Sequence, residues 1–174
     1  MRYVAPSRFR YLLILFLLVP LITIVLSACG SDQSKEIQPM GQEVYPNLFL
    51  AEASGVPMFN FTGSVSVNDL EVIDIEVGDG ASVTLQDTLE VNYLGVGGSS
   101  GFSFDSSFAR NEPAVFPLQA VILGWQEGLV GMKEGGRRIL VIPGNKAYGP
   151  TPPPGSGIEP NETLIFLVDL IKIN

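Results

Sequence analysis

The sequence predicts an α+β fold in which a mostly antiparallel sheet accompanies one short helix. Three observations lead to this class: short runs with strand-like alternation recur along the C-terminal two-thirds of the 174 residues, one segment has a helical period, and strands and helices do not alternate as in β-α-β units. The predicted strands cover residues 71–77, 89–93, 102–106, 113–118, 137–142 and 164–173.

Alternation is clearest in the first two predicted strands. Over residues 71–77, Ile73 and Ile75 alternate with charged side chains, and a Gly-Asp-Gly turn follows at 78–80. Over 89–93, Leu, Val and Tyr alternate with Glu and Asn. Both patterns are typical of strands with one buried face.

The helical segment runs from Val121 to Leu129. Ile122, Trp125 and Leu129 are spaced i, i+3 and i+7, and Gly131 is a plausible stop. Two glycines within the segment lower its intrinsic helix propensity, so we expect packing to hold it in place.

Two segments have no sustained period. Residues 143–163 contain six prolines and are predicted to form a long ordered loop. Residues 44–62 are too apolar for a linker, and we expect them to be partly ordered and to pack on the main domain. On the last strand Ile165, Leu167 and Ile171 make one face apolar. We expect residues 44–62 to cover that face.

Residue counts exclude several kinds of catalytic and metal site. The chain has no histidine and one cysteine, which excludes Ser-His-Asp and Cys-His catalysis, histidine-based metal sites and intrachain disulfides. Residues 97–101 match the G-x-S-x-G pattern of hydrolases. Without a base to activate the serine, this match indicates a flexible loop.

The N-terminus has the layout of a secretory signal peptide. Three arginines within residues 1–10 precede an apolar run over 11–26, and Leu-Ser-Ala-Cys ends at Cys29. Those four residues resemble the lipobox of bacterial lipoproteins, in which the cysteine is lipidated. We therefore predict a signal peptide over 1–28 and a lipid on Cys29. An uncleaved signal anchor is the alternative.

The predicted mature chain is strongly acidic. All 18 acidic residues follow Cys29 but only 7 of the 10 basic ones do, which leaves a formal charge of −11. Such a chain is a poor candidate for nucleic-acid binding. We expect export, with the lipid as the membrane attachment on the extracytoplasmic side.

Five short motifs occur in an order that resembles the FKBP-type peptidyl-prolyl cis-trans isomerases. No single motif is specific for this family, but the order and spacing of the five motifs together are strong evidence for the resemblance. The motifs are VNYLG at 91–95, FDSS at 104–107, VILGWQEGL at 121–129, KAYG at 146–149 and LIF at 164–166, preceded by the turn at 78–80.

The resemblance implies an antiparallel sheet of five to six strands wrapped around one short helix, over a domain at 63–174. Residues 29–62 are then a tether and a partly ordered N-terminal segment. The implied activity is isomerisation of X–Pro bonds in exported polypeptides, without cofactor or metal. Macrolide inhibitors of the family are implied ligands, and we expect a monomer.

The resemblance also implies site residues, carried over position by position. Trp125 would be the floor of a proline pocket, and the main-chain N–H of Ile122 would hold a substrate carbonyl. Asp105 would face the twisting carbonyl or order Tyr93 and Arg110 around it. The implied catalytic residues are Tyr93, Asp105 and Tyr148, and the implied substrate-binding residues are Phe104, Val121, Ile122, Trp125, Ile158 and Phe166.

Some residues depart from the family pattern. Ala114 stands where phenylalanine is frequent, so we expect one pocket wall to be thinner. This departure favours the main alternative function, a catalytically weak chaperone or binding module with the same fold. A purely structural lipoprotein is a further alternative.

Overall fold

The computed structural model describes residues 42–174. The predicted signal peptide, Cys29 and the tether up to residue 41 lie outside the described residues. Within the described part, no helix is both long enough and apolar enough to cross a membrane.

A six-stranded antiparallel sheet forms the centre of the described residues and confirms the predicted fold class. The strands are β4 (Glu71–Glu76), β5 (Thr88–Gly97), β6 (Ser103–Ser106), β7 (Ala114–Pro117), β8 (Arg137–Ile142) and β9 (Leu164–Ile173). Their order in the sheet is β4-β8-β9-β5-β6, and β7 pairs with β5 beside β6.

Strand β5 is longer than predicted. The sequence pattern ends at Tyr93, whereas the strand continues to Gly97 in register with β9. The final residues of β5 are buried whichever side of the sheet they face. Burial on both faces removes the alternation on which the prediction depended.

The helix α2 (Leu123–Leu129) packs on β8. A Cβ at Gly124 would lie 2.3 Å from Ile142, and one at Gly128 would lie 2.7 Å from Leu140. The glycines that weaken the helix therefore allow it to approach the sheet closely.

The helix prediction began too early, because Val121 and Ile122 have extended backbones before α2. They follow a 3₁₀ turn at Leu118–Ala120 that the sequence reading did not predict. A further one-turn helix, α1 (Ser107–Arg110), lies between the predicted strands at 102–106 and 113–118. The hydroxyl of Ser106 caps α1 by accepting from Ala109 N at 3.2 Å.

Within the described residues, two hydrophobic clusters occupy opposite faces of the sheet. Leu164, Phe166 and Val168 of β9 belong to the cluster that contains α2. Ile165 and Leu167 belong to the other cluster. Side chains alternate along a strand, so one strand supplies both cores.

Residues 42–61 form a second, three-stranded antiparallel sheet in the order β1-β2-β3. Its Leu48 and Phe59 lie in the same cluster as Ile165 and Leu167, so the segment covers that part of the apolar face as expected. Ile171 remains 43% exposed, and the covering does not reach it. The strands are β1 (Gln42–Tyr45), β2 (Leu48–Ala53) and β3 (Val56–Phe61).

Candidate functional site

A cavity of about 310 Å³ opens where α2, the sheet and two connecting segments meet. This volume lies within the range of small-ligand pockets. Eight of the nine site residues named from the sequence line it. The lining residues are Tyr93, Phe104, Asp105, Phe116, Ala120, Val121, Ile122, Trp125, Tyr148 and Phe166.

Trp125 is the residue around which the aromatic lining is arranged. Its ring makes edge-on contacts with Tyr93, Phe116 and Phe166, with centroids 5.6, 6.0 and 5.3 Å away. It is 4% exposed, and its buried indole Nε1 has no hydrogen-bond partner among residues 42–174. Interlocked edge-on packing makes this surface rigid and apolar.

Phe104 and Phe166 form a second edge-on pair, with centroids 5.5 Å apart and planes at 83°. Gly95 of β5 lies against both rings. A Cβ at Gly95 would approach Phe104 Cζ to 2.7 Å and Phe166 Cε1 to 2.8 Å. Because Gly95 has no side chain, the rings of Phe104 and Phe166 can both pack in the wall of the cavity.

A polar network lies at one side of the cavity. The Tyr93 hydroxyl donates to Asp105 Oδ2, and Arg110 Nη1 donates to Asp105 Oδ1. Arg110 Nη2 also donates to the Tyr93 oxygen at 3.1 Å, and the guanidinium lies 5.7 Å from the Tyr93 ring centroid. The carboxylate and the phenol therefore have a common cationic partner.

The network shifts the protonation equilibria of its members. Burial, followed by the hydrogen bond to Asp105, raises the pKa of Tyr93 to about 12. Partial burial would raise the pKa of Asp105, but hydrogen bonds from Tyr93 and Arg110 and the charge of Arg110 outweigh it and lower that pKa. At neutral pH the carboxylate is thus ionised and the phenol protonated.

Ser107, the first residue of α1, fixes the network to the sheet. Its buried hydroxyl accepts from Tyr93 N at 2.8 Å and donates to Asn92 Oδ1 at 3.1 Å. The turn of α1 then carries Arg110 over the Tyr93 ring. The FDSS motif therefore supplies Asp105 and also the serine that orients Tyr93.

Tyr148 also lines the cavity, and it follows a 3₁₀ turn at Gly144–Lys146. Lys146 Nζ donates to Glu127 of α2 and ties this segment to the helix. Burial, and next the negative charge of Asp105, raises the pKa of Tyr148. Among the described residues its hydroxyl has no hydrogen-bond partner, so the O–H is available to a ligand.

The connection before α2 supplies the remaining wall. Gln126 Nε2 donates to Val121 O at 2.8 Å and holds the connection. The Ile122 carbonyl accepts from Trp125 N at 3.0 Å and begins the helix. The Ile122 main-chain N–H makes no hydrogen bond to another residue in the described part of the chain.

Ile158 is the named residue that the structure leaves out of the lining. It is partly buried and packs against the helix-side core cluster. Ala114, expected to thin a wall, also packs against that cluster and does not line the cavity. Phe116, two residues further along β7, lines it instead. Strand alternation from Ala114 could have indicated Phe116, whereas no sequence signal marks Ala120.

The described residues contain no group of three or more His, Cys, Asp or Glu side chains that could hold a metal ion. The cavity has an apolar floor, two aromatic walls and the ionised carboxylate of Asp105. The Tyr148 hydroxyl and the Ile122 main-chain N–H are its hydrogen-bond donors. Such a site can bind an apolar ring and orient the carbonyls beside it.

Comparison with known proteins agrees with this geometry. Residues 80–171 match the model of the FKBP-type peptidyl-prolyl cis-trans isomerase family. An FK506-binding protein of Streptomyces anulatus is 44% identical over 119 residues, covering 67% of this chain and 96% of its own length. A probable FK506-binding protein of Corynebacterium glutamicum is 49% identical over 105 residues, covering 60% of this chain and 86% of its own.

Solved structures show the same similarity. FkpA from Escherichia coli matches with a TM-score of 0.56 and 40% identity, over 65% of this chain and 52% of FkpA. AtFKBP13 matches with a TM-score of 0.54 and 31% identity, over 64% of this chain and 98% of its own.

Proposed function

The chain belongs to the FKBP-type peptidyl-prolyl cis-trans isomerase family and is an isomerase of that type, and we propose that the aromatic cavity is where it rotates X–Pro bonds. The observation that carries this assignment is the cavity of about 310 Å³ floored by Trp125, with polar groups at its sides. It fits a pyrrolidine ring with the preceding carbonyl directed towards those groups.

The chemistry requires no nucleophile, because no covalent bond breaks. Rotation about the amide crosses a barrier of about 18–20 kcal/mol and takes tens to hundreds of seconds unaided. At the top of the barrier the amide has lost its resonance and part of its dipole. Water stabilises the planar amide more, so an apolar cavity favours the twisted one.

The polar residues fix the geometry of the twisted state. Tyr148 donates to a substrate carbonyl, and the Ile122 N–H holds a second one. Asp105 faces the rotating carbonyl, while Tyr93 and Arg110 keep its carboxylate ionised and in one orientation. Phe104 and Phe166 close the wall against the proline ring.

Replacement of the floor tests this assignment. Trp125→Ala should lower kcat/KM for a proline peptide by about 100-fold in a protease-coupled assay, since the edge-on contacts that hold the lining are lost. Leu123→Ala on the same helix, exposed and outside the lining, is the control and should retain activity. Equal activity in both folded variants would mean that Trp125 is not the floor of the catalytic site. A wild-type rate no faster than the uncatalysed one would favour the alternative of a weakly catalytic binding module.

We further propose that the enzyme acts on exported proteins at the outer face of a bacterial membrane. The support is the basic start, apolar run and Cys29 of residues 1–29, followed by polar sequence before Gln42. The formal charge of −11 after Cys29 would hold the domain away from an anionic lipid surface.

Fractionation of cells tests the anchor. Cys29→Ser removes the acceptor of the lipid and should move the protein from the membrane to the soluble fraction. Membrane association of Cys29→Ser at the wild-type level would instead indicate an uncleaved N-terminal helix.

Two of the relatives are named for FK506 binding, and this macrolide is a proposed inhibitor here. Competition with the proline peptide at the same cavity would appear as an increase in apparent KM with unchanged kcat.

A further inference from the structure

Glu162 is a buried carboxylate that plays no part in the mechanism above. It is 8% exposed and lies two residues before β9, at the end of the loop at residues 143–163, which we call the proline-rich loop. Its Oε1 accepts from the hydroxyl of Ser99 and from Ser99 N at 3.1 Å, and its Oε2 accepts from Glu159 N at 2.8 Å. We call Ser99, Glu159 and Glu162 the carboxylate clasp.

The β5–β6 connection is shaped to receive this carboxylate. A Cβ at Gly97 would lie 2.4 Å from Glu162 Oε1, so glycine leaves the space that the side chain occupies. Gly98 N donates to Thr163 O at 2.8 Å, beside the clasp. Gly101, with a φ of 67°, closes the turn through a 2.8 Å bond from its N–H to Gly97 O.

A second contact joins the same two segments. Phe102, 57% exposed, covers Gly157, where a Cβ would lie 2.9 Å from Phe102 Cε1. Gly157 directly precedes Ile158, which packs on the core cluster that includes the cavity residues. The proline-rich loop is thus attached to the β5–β6 connection on both sides of Ile158.

The clasp is also connected to Tyr148. Asn161 N donates to Gly149 O at 2.8 Å, and Gly149 N donates to Gly144 O at 2.8 Å. Residues 158–162 therefore hold the backbone next to Tyr148, which lines the cavity. The chain between them, residues 150–157, contains four prolines and makes few backbone hydrogen bonds.

We propose that Glu162 is a positioning residue, which holds the proline-rich loop so that Tyr148 and Ile158 are in place before substrate binds. The inference rests on the proposed function for the role of Tyr148. When the loop is already ordered, the free energy of substrate binding does not have to offset the entropy that is lost in ordering it. Loss of the clasp should therefore weaken binding of the ground state and of the transition state alike.

The Ser99–Glu162 pair does not activate a nucleophile. A carboxylate is a far weaker base than a serine alkoxide, so the proton stays on the hydroxyl. The predicted loop at residues 97–101 thus has a structural partner, and the carboxylate beside Gly97 explains the glycine at that position.

Kinetics of Glu162→Gln test the proposal. The amide retains the volume but presents an NH₂ group to one of the N–H donors. We expect KM to rise about fivefold with kcat within about twofold of wild type, and the Glu159 amide to exchange with deuterium faster. Glu112→Gln, the same charge change at an exposed side chain without a hydrogen-bond partner among the described residues, is the control.

Ser99→Ala is the second variant, since its side chain is exposed and we expect its removal to leave folding intact. It should raise KM about twofold. Unchanged KM and unchanged Glu159 exchange in either folded variant would overturn the proposal, as would a fall in kcat at constant KM. If the wild-type protein failed to accelerate isomerisation, the proposed function would fail, and Glu159 exchange would still decide whether the clasp orders the loop.

Discussion

Leu48→Ala should destabilise the protein without impairing catalysis, because Leu48 contacts only the face of the sheet that is turned away from the cavity. Leu48 is fully buried in the cluster with Ile165 and Leu167. Removal of a buried leucine side chain lowers the free energy of unfolding by 2–5 kcal/mol, and we take about 3 kcal/mol here. At about 3 °C per kcal/mol for a domain of this size, the melting midpoint should fall by about 10 °C.

The assay combines thermal unfolding with kcat/KM for a proline peptide, measured at least 20 °C below the variant's midpoint. We expect kcat/KM within about twofold of wild type, because the cavity residues belong to the other cluster. Val56→Ala on β3, where the side chain is 42% exposed, is the matched control. Its midpoint should change by less than about 2 °C.

Two results would refute this reasoning. An unchanged midpoint in Leu48→Ala would mean that the β1–β3 sheet does not support the main sheet. A loss of kcat/KM in fully folded Leu48→Ala would mean that the two faces are coupled. Deletion of residues 44–62 extends the test, and unchanged solubility and thermal stability would contradict the covering role of that segment.

Further predictions concern the cavity. Gly95→Ala should lower kcat/KM about tenfold, because the new Cβ displaces the rings of Phe104 and Phe166; unchanged kinetics would mean that the rings adjust freely. Asp105→Asn should lower kcat/KM about tenfold through loss of the ionised partner of Tyr93, with folding checked by circular dichroism. Because the folded-state pKa of Asp105 is lowered, its contribution to stability is present above the unfolded value of about 3.9 and is lost as the pH falls through the folded-state value. Unfolding midpoints between pH 5 and 2 should therefore fall less steeply in Asp105→Asn than in wild type.

The main sheet was predictable because its strands have one core-facing side. Strand β4 keeps strict alternation, and its described burial follows that alternation residue by residue. The end of β5 was not predictable in this way, because Leu94 to Gly97 are buried on both faces. The start of α2 was misplaced because Val121 and Ile122 follow the helical spacing while their backbones are extended.

The β1–β3 sheet was missed although its turns have local signals. Asn47, Ser54 and Gly55 have positive φ angles of 65°, 54° and 78°, and Pro-Asn and Ser-Gly dipeptides are typical of turns. The strands between them lack clear alternation, because apolar side chains also occupy exposed positions: Val56 and Met58 of β3 are both 42% exposed. Only tertiary contact defines which side of β2 and β3 is buried.

The candidate site was largely predictable from motif order and less so from physical pattern. A lone Trp125, Tyr93 or Phe166 has the sequence features of ordinary core residues, and the family resemblance brought them together. The orientation of Arg110 over Tyr93 depends on α1, whose single turn has no periodic signal. The roles assigned to these residues remain predictions for mutagenesis.

The most direct test of the proposed mechanism is the isomerisation rate of a proline tetrapeptide with the wild-type protein between pH 6 and 8. Asp105, with its lowered pKa, and Tyr93, with a pKa of about 12, keep one protonation state over that range. We predict a rate that rises in proportion to protein concentration and is constant with pH. A rate equal to that of the peptide alone, or a bell-shaped pH profile indicating acid–base catalysis, would contradict a mechanism based on an apolar cavity and fixed hydrogen bonds.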